Sequence, residues 1–173
     1  MLSSLPQAKP HLQTGSHNTA LLHRLTGGHV LAIAPDTLGG LLLVKGFYVD
    51  FAGPGAAVGG GFDRACTAVY AIGTVRFQTL LTSSALEAAI QARVAYAEQL
   101  AAIVSIPQAV QRARLMATYL AEWLPGNLSL TISSELMAGL AGVLPGTVHR
   151  AWQTHKELSA EKPLADLRHE VLI

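Results

Sequence analysis

The chain has 173 residues, half of them hydrophobic and only 13% charged, with a formal net charge of +1. That is enough to bury a sizeable core in one large domain or two small ones, and the near-neutral balance leaves a local basic patch as the only electrostatic route to nucleic acid. A single cysteine, Cys66, excludes an intrachain disulfide framework and a four-thiolate cluster.

The mean hydropathy of +0.36 raises the question of a membrane span. The most continuous apolar tract, residues 85–106, carries Glu87, Arg93 and Glu98. Charges at bilayer depth are costly, so the tract reads as a soluble helix. The first 17 residues hold Pro6, Lys9, Pro10 and His11 but no apolar core of the kind a signal peptide needs. The expected location is cytoplasmic, with no membrane partner.

Residues 1–19 are rich in Ser, Pro, Gln and His without a period and read as a flexible lead-in. His11, His17, His23 and His29 recur every six residues, but that step matches no helix face, and Gly15 and Gly27-Gly28 would interrupt a strand. The spacing is attributed to chance, and no metal site or cofactor is predicted.

Between residues 20 and 82 short apolar runs alternate with glycine-bearing breaks. The runs are Val30-Leu31-Ala32-Ile33, Leu41-Leu42-Leu43-Val44, Phe47-Tyr48-Val49 and Ala68-Val69-Tyr70-Ala71-Ile72. Gly53-Pro54-Gly55 and Gly59-Gly60-Gly61 are among the breaks. Short strands at this spacing predict a small barrel or sandwich. No Gly-Lys-Ser/Thr follows the glycine triplet, so it reads as a turn or bulge rather than a phosphate cradle.

Past Phe77 the period becomes helical. Leu86, Ile90, Val94, Ala97, Ala101 and Val104 draw one stripe across residues 83–106. The stripe could face a second subunit, as its small alanines allow close approach, or it could pack on the chain's own β domain. Pro107 ends this helix and suits the first turn of the next. In that next helix Val110, Ala113, Ala117, Leu120 and Leu124 share a face until Pro125-Gly126-Asn127. Leu128-Ser129-Leu130-Thr131-Ile132 then offers a short strand.

Ser133 is placed to cap a helix of about two turns that ends at Gly142, a residue able to take the left-handed conformation of a tight turn. Pro145 suits the first position of a second helix. Val148, Ala151 and Trp152 would pack against Met137, Leu140 and Ala141. Thr147, His149, Arg150 and Gln153 would be left exposed. A helical hairpin of this kind can present polar side chains to a major groove.

The segment resembles the helix-turn-helix of the Crp/Fnr transcription regulators, whose pattern is roughly Thr-x-x-x-Leu-Ala-x-x-x-Gly-x-x-x-x-Thr-Val-x-Arg. Ser133, Met137, Ala138, Gly142, Thr147, Val148 and Arg150 fall in its slots. Upstream, Arg112-Ala113-Arg114-Leu115-Met116-Ala117-Thr118-Tyr119-Leu120 is similar to the helix that follows the family's dimerisation helix. Gly28-His29-Val30-Leu31, Leu43-Val44-Lys45-Gly46 and residues 64–77 resemble parts of its effector-binding β-roll, somewhat in the manner of the cyanobacterial nitrogen regulators. The match spans about residues 21–155.

The resemblance implies an α+β chain with a small cupin-like β-roll at 20–82, a dimerisation helix at 83–106 and a winged-helix-like helix-turn-helix domain at 107–173. It implies a homodimer that binds DNA through Ser133, Thr147, His149, Arg150 and Gln153, with Ser133 and Thr147 at phosphates and Arg150 at guanine. Arg64 stands where the family's effector-binding arginine would be. The roll is shortened and its loop, Arg64-Ala65-Cys66, carries no glutamate to hold a ribose, which argues against cyclic AMP as the effector. Pro145 and Gly146 also bring no side chain that reads bases. A non-DNA-binding dimeric interaction protein is therefore the alternative, and a small-molecule carrier a further one. No nucleophile motif or carboxylate pair supports an enzyme.

Overall fold

A computed structural model describes residues 18–123 and 132–160, with side chains as far as Gln153. Helix α1 spans Thr19–Thr26 and is followed by β1 (Val30–Ile33), β2 (Leu38–Lys45), β3 (Tyr48–Ala52), β4 (Ala57–Gly59), β5 (Ala68–Thr74) and β6 (Phe77–Gln78). Helices α2 (Ser83–Val104), α3 (Ala109–Ala121), α4 (Ser134–Ala141) and α5 (Pro145–Ala160) complete a mixed α+β fold. Two antiparallel sheets of three strands run in the orders β4-β1-β6 and β3-β2-β5.

Helix α1 departs from the expected all-β start. The Asn18 side chain accepts the Leu21 N–H at 2.9 Å, and Leu21 and Leu25, one turn apart, are buried. A good cap and an i, i+4 apolar pair outweigh the glycine break that follows. In the β2–β3 hairpin Lys45 pairs with Tyr48. Gly46-Phe47 is therefore the turn, with Gly46 at φ 56° in the place that needs positive φ. Phe47, expected in a strand, sits at this tip and is fully exposed. The strands β4 and β6 were not anticipated, being three and two residues long.

Helix α2 buries its predicted stripe only in part: Leu86 and Ile90 are half-buried, Ile90 against Ala32, Ala57 and Ala89. Ala89, Arg93, Tyr96 and Leu100 face the sheets. The stripe with Val94 (45% exposed), Ala97, Ala101 and Val104 (39%) lies one residue further round, about 100° away. The helix has apolar residues on two faces, and its own domain covers one of them. In α3 the buried residues are Ala113, Met116 and Leu120. Pro107 precedes the Gln108 cap rather than lying in the first turn. Leu124 and most of the expected strand at 128–132 lie outside the described residues. Among the described residues no helix is long and apolar enough to cross a membrane.

One core connects sheets and helices. Phe51 meets Tyr96 and Tyr119 edge-on at 5.5 and 6.1 Å, and Tyr96 meets Trp123 at 5.8 Å. The same cluster reaches Met137, Leu140, Val148 and Ala151. Tyr96 donates to the Pro54 carbonyl at 3.1 Å, and burial pushes its phenol up to about 12. Helix α4 lies directly on β3 because Gly139 has no side chain. A Cβ there would stand 2.6 Å from Val49 Cγ2.

Candidate nucleic-acid interface

The α4–α5 pair forms as the local residues dictate. Ser133 is extended, and its hydroxyl accepts the Leu136 N–H at 3.3 Å. At the other end Gly142 takes φ 60°, ψ 44°, and the N–H groups of Gly142 and Val143 both return to the Ala138 carbonyl. This is a glycine-terminated helix end. Pro145 opens α5. Met137, Leu140, Ala141, Val148 and Ala151 are buried, and Trp152 is half-buried against them. An alanine at Gly142 meets only Val104 Cγ1 at 3.5 Å, an ordinary contact. The cost of Gly142→Ala is therefore conformational, about 1–2 kcal/mol. We expect urea denaturation to show that loss, and Gly142→Asn to recover part of it.

His149, Arg150 and Gln153 are exposed on one side of α5, and Ser133 is exposed at the start of α4. His149 Nδ1 lies 3.0 Å from the Pro145 carbonyl, and its ring meets Trp152 edge-on at 6.2 Å. Thr147 is a correction. It was expected on the polar face but is only 6% exposed. The reason is helical spacing: Thr147 is one turn before Ala151 and adjacent to Val148, so it falls on the packed side. Its side chain is not available to a phosphate.

Arg64 is exposed in the loop between β4 and β5. It does not line the cleft of about 590 Å³ found between the β2–β3 hairpin, β5 and the first turn of α4. The charges that matter near that loop are others. Asp63 is fully buried, and Arg93 on α2 reaches Asp63 Oδ1 at 3.1 Å and Asp50 Oδ2 at 2.6 Å. Lys45 Nζ lies 3.0 Å from Asp63 and 3.1 Å from Asp50, and it donates to the Phe62 carbonyl at 2.9 Å. Asp63 also accepts the Gly59 N–H at 2.6 Å. Burial alone would lower the Lys45 pKa, but its hydrogen bond to Asp63 and the fields of Asp63 and Asp50 raise it above 10.5. Cys66 is buried beside this cluster; burial first, and Asp63 second, push its thiol up. Such a thiol is poorly suited to nucleophilic chemistry.

This buried quartet joins residues far apart in the sequence, and no motif there marks it. One signal was present: Arg93 stands at helical spacing with apolar residues, four after Ala89 and three before Tyr96. Among the described residues no group of three His, Cys, Asp or Glu side chains is placed to hold a metal ion. His11 and His17 lie outside the described residues.

Comparison with protein-family models and with curated proteins gave no significant match.

Proposed function

We propose that the chain is a dimeric DNA-binding regulator of transcription of the Crp/Fnr type, with α5 as the helix that enters a major groove. The observation that carries this reading is the α4–α5 hairpin. Its turn is fixed by a left-handed Gly142, its inner face is apolar, and His149, Arg150 and Gln153 are exposed on its outer face. Support for a dimer comes from the second apolar face of α2, where Val94, Ala97, Ala101 and Val104 are exposed. A β-roll sensor acting through that helix, within a cytoplasmic homodimer, completes the proposal.

The experiment is a fluorescence anisotropy titration against genomic fragments at several salt concentrations. Some fragment should bind at least about a thousandfold above background. Arg150→Ala should cost about 1–3 kcal/mol on that fragment and erase preference at one base position. If Arg150 contacts phosphate instead, affinity falls equally on all fragments and the salt slope drops by about one.

A second reading, a dimeric interaction protein without base readout, is favoured by the burial of Thr147 and by Pro145 and Gly146 at the start of α5. Uniform background binding by every fragment would favour this reading over the first.

A further inference from the structure

The cleft between the β2–β3 hairpin, β5 and α4 shares Ser133 with the proposed DNA contact and is otherwise lined by residues outside it. Its volume, about 590 Å³, is in the range that small molecules occupy. Three aromatic side chains, Phe47, Tyr48 and Tyr70, line it together with Ser133, Glu135 and the bare backbone of Gly139. Two of those rings are left in water: Phe47 is fully exposed and Tyr48 is 55% exposed. A phenylalanine at the tip of a two-residue hairpin, beside a cleft, leaves apolar area that a ring bound in the cleft would cover.

The charge of the lining selects the occupant. Among the described residues that line it there is no Lys, Arg or His, and the carboxylate is that of Glu135. Lys45, the nearest cation by sequence, is held by Asp50 and Asp63 instead. The amide donors at the start of α4 are not open to an anion either. Leu136 N–H is on the Ser133 hydroxyl. The Glu135 carboxylate is held ionised, its pKa lowered first by its own backbone N–H and then by the Ser133 hydroxyl. An aromatic wall beside an ionised carboxylate attracts a positively charged nitrogen through both the ring faces and the ion pair.

From this, the geometry points to a binding site for a small aromatic amine, a ring bearing a short arm that ends in an ammonium group. The ring would lie among Phe47, Tyr48 and Tyr70, and the ammonium would meet Glu135. The site joins the β3-β2-β5 sheet to α4, so a bound amine touches both. It would act as an effector only if it binds two arrangements of α4 differently. That regulatory consequence rests on the DNA-binding reading given above; the binding itself does not.

The test uses the full chain and phenethylamine as the probe, with phenylacetate as the matched anion, read by isothermal titration and saturation-transfer NMR. Three proteins are compared: wild type, Tyr48→Ala and Glu135→Gln. Both altered residues are exposed, and circular dichroism checks that the fold is intact. Wild type should bind phenethylamine saturably, with affinity about five- to tenfold weaker in each variant and phenylacetate at least about tenfold weaker than phenethylamine. Absence of saturation, equal affinity across the three proteins, or phenylacetate binding as well as phenethylamine overturns the assignment. Since the readout contains no DNA, its failure is distinct from failure of the anisotropy titration.

Discussion

Arg93→Met is expected to lower the unfolding free energy by about 3–5 kcal/mol, because it removes one partner from a buried charge cluster and leaves the others uncompensated. In the wild type two cations, Lys45 and Arg93, face two carboxylates, Asp50 and Asp63. Without Arg93 two carboxylates are left with one ammonium, and Asp63 is fully buried. Methionine fills a comparable length, so lost packing is small and the electrostatic effect dominates. The check is the urea midpoint at an unchanged slope. A loss under about 1 kcal/mol would mean that water reaches the cluster and screens it as it would a surface pair.

A second variant separates charge from shape. Asp63→Asn combined with Arg93→Met leaves Lys45 facing Asp50 alone, a neutral pair, and should be more stable than Arg93→Met by itself. Coupled sites of this kind are not additive. The pH dependence of the Lys45 contribution follows from its raised pKa. A group whose folded pKa is raised stabilises fully below its unfolded value and loses that contribution as the pH rises through the folded one. For Lys45 that window opens above pH 10.5, so the contribution is intact at neutral pH.

What the sequence made legible was whatever a single segment decides. The hairpin of α4 and α5 was readable because Ser133, Gly142 and Pro145 each act within a few residues of themselves. The strand cores around Leu41 and Val69 were readable from their apolar runs. Where the outcome depends on which neighbour covers a face, sequence alone could not decide. The α2 stripe through Val94 and Ala101 has a clear helical period, yet the sheets cover Ala89, Tyr96 and Leu100, because Phe51 and Pro54 offer contacts to Tyr96. Thr147 failed in the same way, since a polar type was allowed to outweigh its position one turn from Ala151. The quartet was invisible because Lys45, Asp50, Asp63 and Arg93 lie on four separate segments, brought together only by the chain's return from the glycine-rich loop to α2.

Arg112→Met is expected to cost about 2–3 kcal/mol, for a reason that also lies between segments. From α3 the guanidinium donates to four carbonyls: Ile106 at 2.8 Å, Pro107 at 3.5 Å, Ala141 at 3.2 Å and Gly142 at 2.9 Å. The first two belong to the connection after α2, the last two to the C-terminal end of α4 and its Gly142 cap. Helix ends leave carbonyls that need donors, and here one side chain serves both ends. Water can replace the exposed bonds to Pro107 and Gly142, so the loss is dominated by the half-buried bonds to Ile106 and Ala141. Arg112→Lys keeps the charge but not the planar fork, and a single ammonium cannot span both connections. It should therefore lose most of the same stability, with faster amide exchange at Gly142 and Val143. If Arg112→Lys matches wild type in both measurements, charge near the helix ends is sufficient and the fork is not what holds the end of α4 against the connection after α2. If it fails while circular dichroism is unchanged, the position of the α4–α5 turn relative to the end of α2 depends on this one guanidinium.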